Sequence, residues 1–106
     1  MGSAEYVSRV LEAYRGAHGT CGAIRQPDRA FALRLYERGV PLGVVDNAMV
    51  LACARRLGRP GDAVRLGVIR SLACFSPVID EVLGLAVGDA YFQHLRTRLA
   101  RMLGQR

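Results

Sequence analysis

The chain has 106 residues, 51% of them hydrophobic, with four tyrosines, three phenylalanines and no tryptophan, enough apolar material for one core and not for two. A 23% charged fraction without a long polar tract excludes intrinsic disorder, because the apolar surface suffices to offset chain entropy. Fifteen basic residues against nine acidic ones give a net charge of +6, and every basic residue is arginine.

Met-Gly-Ser at the start is also what an expression vector leaves behind, so no function rests on residues 1–3, and 4–106 reads as a single helical domain. Val7, Val10, Leu11 and Tyr14 share one helix face, which predicts a helix from about Ala4 to Arg15 with Ser3 as candidate N-cap. Gly16 to Gly22 follows as a loop of small residues. Pro27 pre-sets a first helical turn, Asp28 complements the helix dipole, and Phe31, Ala32 and Leu35 form a stripe that stops at Gly39, so a second helix runs from Pro27 to Arg38. Pro41 to Leu57 is the central helix; from Val44 to Ala54 it is apolar almost all round, as in a helix covered by neighbours, and Gly58 caps it.

Arg59-Pro60-Gly61-Asp62 reads as a turn. The apolar pattern from Val68 to Leu83 predicts a fourth helix, with Pro77 either kinking it or opening a new helix capped by Ser76. Asp89 is a candidate cap for a last helix with Tyr91, Leu95, Leu99 and Met102 on one side and a basic other side. No period-2 alternation lasts a whole strand. The fold expected is all-α, a compact bundle of five to six short helices around the apolar helix at about 41–57.

Cys21, Cys53 and Cys74 lack CxxC spacing and an even count, which speaks against a disulfide framework. No secretory pattern opens the chain, and the apolar run from Val40 to Ala54 is too short to span a bilayer, so a cytoplasmic location without membrane contact is expected. Cys53 and Cys74 read as small hydrophobes in apolar helices and Cys21 as exposed. His18, Cys21, Cys53, Cys74 and His94 match no zinc spacing, so no metal or other cofactor is expected. Gly16, Gly19 and Gly22 lack the strand and the lysine of a phosphate-binding loop. Asp80 and Glu81 diverge on a helix and read as a solvated face. Catalysis would need His18 or His94 in a cleft beside Asp or Cys; no enzyme is expected.

Leu35 to Ala48 imitates a helix-turn-helix, but the second helix continues through Met49 to Cys53 with apolar residues where base-reading side chains are required. Arginine patches are the better binding groups: Arg55, Arg56, Arg59 and Arg65 around the end of the central helix, Arg70 beyond it, and Arg98 and Arg101 with His94 on the last helix. Guanidinium forks contact phosphates without reading sequence. Coding bias accounts for arginine replacing lysine, but not for the excess charge.

A helix pair, a Gly-bounded step, an Ala-rich helix and an aromatic/aliphatic helix between Val10 and Val82 resemble the small helical domain of the DnaD family of primosome and helicase-loading proteins. Its Y-x-x-x-I-x-x-W signature is similar to Phe75-x-x-x-Ile79-x-x-Val82 in one register and Val68-x-x-x-Leu72-x-x-Phe75 in another, with no tryptophan in either. The resemblance implies binding of single-stranded DNA and partner proteins in replication, with Phe75 near the nucleic acid. The reading is a small non-catalytic nucleic-acid-binding accessory protein of replication or a mobile element. The alternative is a protein-interaction module, a homodimer or a subunit of a larger complex, for which Tyr91, Phe92, Leu95 and Leu99 would have to be solvent-accessible.

Overall fold

A computed structural model describes residues 1–59, 67–84 and 89–104. Its helices are α1 (Ser3–Gly16), α2 (Gln26–Glu37), α3 (Leu42–Leu57), a short 3-10 turn (Leu72–Phe75), α4 (Ser76–Gly84) and α5 (Asp89–Gly104). The all-α bundle is as expected, with α3 packed against α1, α4, α5 and the 3-10 turn. Val45, Ala48, Met49, Leu51 and Cys53 are buried around α3, which accounts for a helix apolar on nearly every side. The helix-turn-helix imitation fails for the same reason. Among the described residues no helix is long and apolar enough to cross a membrane.

The first helix begins at Ser3 itself, with Gly2 in the cap position and no side-chain cap, so Ser3 is not the N-cap. Its buried face is Tyr6, Val10, Leu11 and Tyr14. The Tyr6 hydroxyl donates to the carbonyl of Val40 at 2.7 Å, tying α1 to the link between α2 and α3. That link is set by Gly39 at φ +74°. The Val40 N–H reaches the Leu35 carbonyl and the Gly39 N–H the Tyr36 carbonyl, the pair of bonds that closes a helix through a left-handed glycine.

Asp28 does more than complement the dipole of α2. It is 2% exposed and is the buried charged residue of the core. One carboxylate oxygen accepts the Arg25 N–H and the other accepts the Leu72 N–H, both at 2.9 Å. The carboxylate therefore closes the start of α2 and holds the start of the 3-10 turn.

The predicted fourth helix needs correction at its beginning. Val68 is exposed and Ile69 forms an isolated parallel bridge with Thr20. The Cys21 N–H donates to the Ile69 carbonyl and the Ile69 N–H to the Gly19 carbonyl. Backbone groups taken up this way are unavailable to a helix, and helical structure starts only at Leu72, with Ser71 capping the 3-10 turn through Ala73. Pro77 then falls in the first turn of α4, the second of the two sequence options, although Ser76 is already helical in φ and ψ. In α5 the inward stripe is Phe92, Leu95 and Leu99, whereas Tyr91 and Met102 are 45% and 43% exposed. Cys74 is exposed, against expectation, while Cys53 is buried and Cys21 exposed as expected.

Two consequences are measurable. Asp28→Ala strands two backbone donors, one of them buried, and is expected to cost about 2–4 kcal/mol of unfolding free energy, read as a lower urea midpoint. The buried Tyr14 hydroxyl has no hydrogen-bond partner of regular geometry. Burial first, then the charge of Asp28 and the nearby Cys21 and Cys74, push its pKa from 10.0 up to about 12. An acid with a raised folded-state pKa keeps its proton longer when folded, so stability is lost as pH rises from about 10 to about 12. Tyr14→Phe is expected to melt no lower than the parent at neutral pH and to flatten that alkaline loss.

Candidate nucleic-acid interface

The last turn of α3 carries Arg55 and Arg56, where guanidinium groups complement the negative end of the helix. Together with Arg59 they line a cleft of about 330 Å³, floored by Ala52, Ile69, Phe75 and Val78 with Cys74 at its edge. Arg70, next to Ile69, is exposed. Arg65 lies outside the described residues.

The members of this group differ in their freedom to bind. Arg55 donates through both terminal nitrogens to the two carboxylate oxygens of Glu81 on α4. This bidentate pair raises the pKa of Arg55 and, through the same hydrogen bonds, lowers that of Glu81. Its charge is spent locally. Arg56 donates to the carbonyl of Gly67 at 2.9 Å, a neutral partner, so its charge persists. Its guanidinium stem packs on Gly19, where a Cβ would stand 2.7 Å from Nε. With φ +89° at Gly19, the glycine loop has a packing reason: it seats Arg56.

Arg98 and Arg101 are exposed on α5, as is His94. Arg98 borders a smaller cavity of about 150 Å³ with Ala54, Gly58, Leu95 and Met102. At 100° per residue, Ala54 lies about 160° round α3 from Arg56 and about 100° from Arg55. Of the predicted arginines, Arg55, Arg56 and Arg59 line one cleft and Arg98 another, while Arg70 and Arg101 are exposed and line neither. Among the described residues Arg56, Arg70, Arg98 and Arg101 make no ion pair with a carboxylate. Other arginines are placed elsewhere: Arg38 pairs with Asp80 at 3.1 Å, Arg9 with Glu5 at 3.1 Å, and Arg34 lies over the Phe31 ring. Asp80 and Glu81 thus form a solvated face, each with its own arginine.

Phe75 is 3% exposed and meets the Tyr14 ring edge-on at 6.1 Å, so it is a core residue and not a stacking platform. Phe92, Leu95 and Leu99 are buried within the chain, which removes three of the four residues that a self-association surface required. Among the described residues no three metal-ligating side chains gather.

A second cleft, of about 450 Å³, lies where the end of α1 meets α3 and α5, and sequence reading did not find it. His18 lines it together with Asp46, Cys53 and Arg96, so a histidine does share a cleft with Asp and Cys. Burial pushes the Cys53 thiol up, away from the thiolate a nucleophile needs. Burial also raises the pKa of Asp46, with the charge of Arg96 opposing the shift.

No family model, no curated protein and no solved structure matches the chain.

Glu81, held below the usual carboxylate range, contributes stability present above its unfolded pKa and lost as pH falls through the lowered one. Denaturation midpoints measured across the acid limb are expected to show this component in the parent chain and not in Glu81→Gln.

Proposed function

We propose that the chain is a small non-catalytic accessory domain that binds nucleic acid through its phosphates, with little sequence preference. The observation that carries this reading is that Arg56 and Arg59 line one cleft and Arg98 a second where α5 meets the end of α3, with Arg70 and Arg101 exposed. Arg55 joins them only when Glu81 releases it. The apolar helices hold the guanidinium groups in place, and attraction comes from counterion release. With Phe75 in the core, base stacking plays no part in this mechanism and the contacts are electrostatic. A role in replication or mobile-element maintenance follows from the likeness to the DnaD family alone.

The test is the anisotropy of a fluorescent oligonucleotide across a salt series, with light scattering for mass. Affinity is expected to fall steeply with salt and to vary little between sequences. Arg98→Gln/Arg101→Gln is expected to weaken binding and to reduce the salt slope by about 2, roughly one unit for each lost phosphate contact. Lack of binding at low salt, with a stable dimer by scattering, would transfer the case to the interaction module.

A further inference from the structure

The cleft between α1, α3 and α5 has a composition that phosphate binding does not use. Its walls are apolar, chiefly Met49, Val50, Leu99 and Leu103, and its volume of about 450 Å³ lies in the range of small-molecule sites. Two opposite charges face it. Asp46 is half-buried, and among the described residues its carboxylate accepts no hydrogen bond and enters no ion pair. Arg96 is half-buried too; one terminal nitrogen donates to Asn47 Oδ1 at 2.6 Å, which anchors the guanidinium and leaves its other donors unassigned. The two groups line one cleft and feel each other's charge, yet they do not close on each other.

A carboxylate taken partly out of water without a partner is unfavourable unless a cation arrives to meet it. A ligand bringing only a cation would leave Arg96 without an anion, and one bringing only an anion would leave Asp46 as it is. A head group with both charges a bond or two apart answers both. We propose that this cleft binds a free α-amino acid with an apolar side chain: its ammonium on Asp46, its carboxylate on Arg96 and its side chain against Met49, Val50, Leu99 and Leu103. The site shares no lining residue with the cleft of Arg56 and Arg59, while Leu99 also lines the cavity that Arg98 borders.

The test titrates the full chain with L-leucine and follows backbone amide chemical shifts. Saturable shifts confined to residues around His18, Val50 and Leu99 are expected, with a dissociation constant on the order of 1 mM or below. The two halves of the head group are separated with 3-methylbutylamine and 4-methylpentanoate, each expected to bind about tenfold more weakly or worse. Asp46→Asn and Arg96→Gln are each expected to lower leucine affinity by a similar factor, with helicity by circular dichroism as the check on folding. Absence of saturable shifts overturns the proposal. So does an amine or an acid that binds as tightly as leucine, or leucine binding indifferent to both substitutions; the analogue series reads the wild-type chain and stands even where a variant fails to fold.

Discussion

Asp28 ties together two stretches of chain, the start of α2 and the 3-10 turn, that also share the hydrophobic core. Its two oxygens accept backbone N–H groups separated by 47 positions, at Arg25 and Leu72, and among the described residues it makes no ion pair. Two directed donors and the positive end of α2 meet the buried carboxylate. Because Leu72 begins the 3-10 turn that leads into α4, this tie fixes where α4 starts against α2. Glu81, one turn into α4, is thereby placed opposite Arg55, and Phe75 is placed edge-on to Tyr14. The electrostatics of the surface are set by a buried charge at some remove.

A similar dependence runs through the glycine loop. The backbone exchange among Gly19, Cys21 and Ile69 brings the loop after α1 beside the segment that precedes the 3-10 turn. Arg56 then lies on Gly19 and donates to Gly67, so its guanidinium spans both segments. A lysine would reach the carbonyl as a point charge, but only the planar fork of arginine lies flat on a glycine while keeping further donors outward. The loop, the 67–70 segment and the end of α3 thus form a single unit around one cation.

Much of the fold was legible because it rests on local periodicity. The extents of α1, α2 and α3, the stop at Gly39 and the covered character of α3 all follow from spacing and from glycine and proline positions. The departures have long-range causes. Nothing near Val68 announces that Thr20 will pair with Ile69, so an apolar pattern read as helix is extended backbone. Cys74 stands about 200° from Leu72 at 100° per residue, so the count itself turns it away from the apolar face, and its reading as a small hydrophobe rested on the apolar composition of the segment. In α5 Leu95 and Leu99 face inward as expected while Phe92 takes the place of Tyr91 and Met102 beside them, a turn of the stripe by about 40° that exchanges an aromatic with a polar handle for one without. The arginines were legible as a concentration of charge, but not their division. Which side of α3 each one occupies depends on how α4 and α5 dock, and Glu81 opposite Arg55 is a contact between residues 26 positions apart. Asp46 and Asn47 looked like failed base-reading residues, when α5 lay across them and Arg96 faced them.

The division of the arginines around α3 constrains how a polyanion would sit. The helix ends at Leu57, and phosphates crossing that end would meet the partial negative charge of its last carbonyls. Arg55 and Arg56, in the last turn, offset this repulsion, but Arg55 is already committed to Glu81. A ligand that touches both groups therefore gains most by contacting them from either side and passing the helix end at a distance, which a flexible backbone does at less cost than a rigid one. On the proposed reading, Arg98 would extend the reach on one side, and the cleft lined by Arg56 and Arg59 would take a phosphate on the other. Electrostatics at the end of α3 thus favours two spaced contacts over one continuous track.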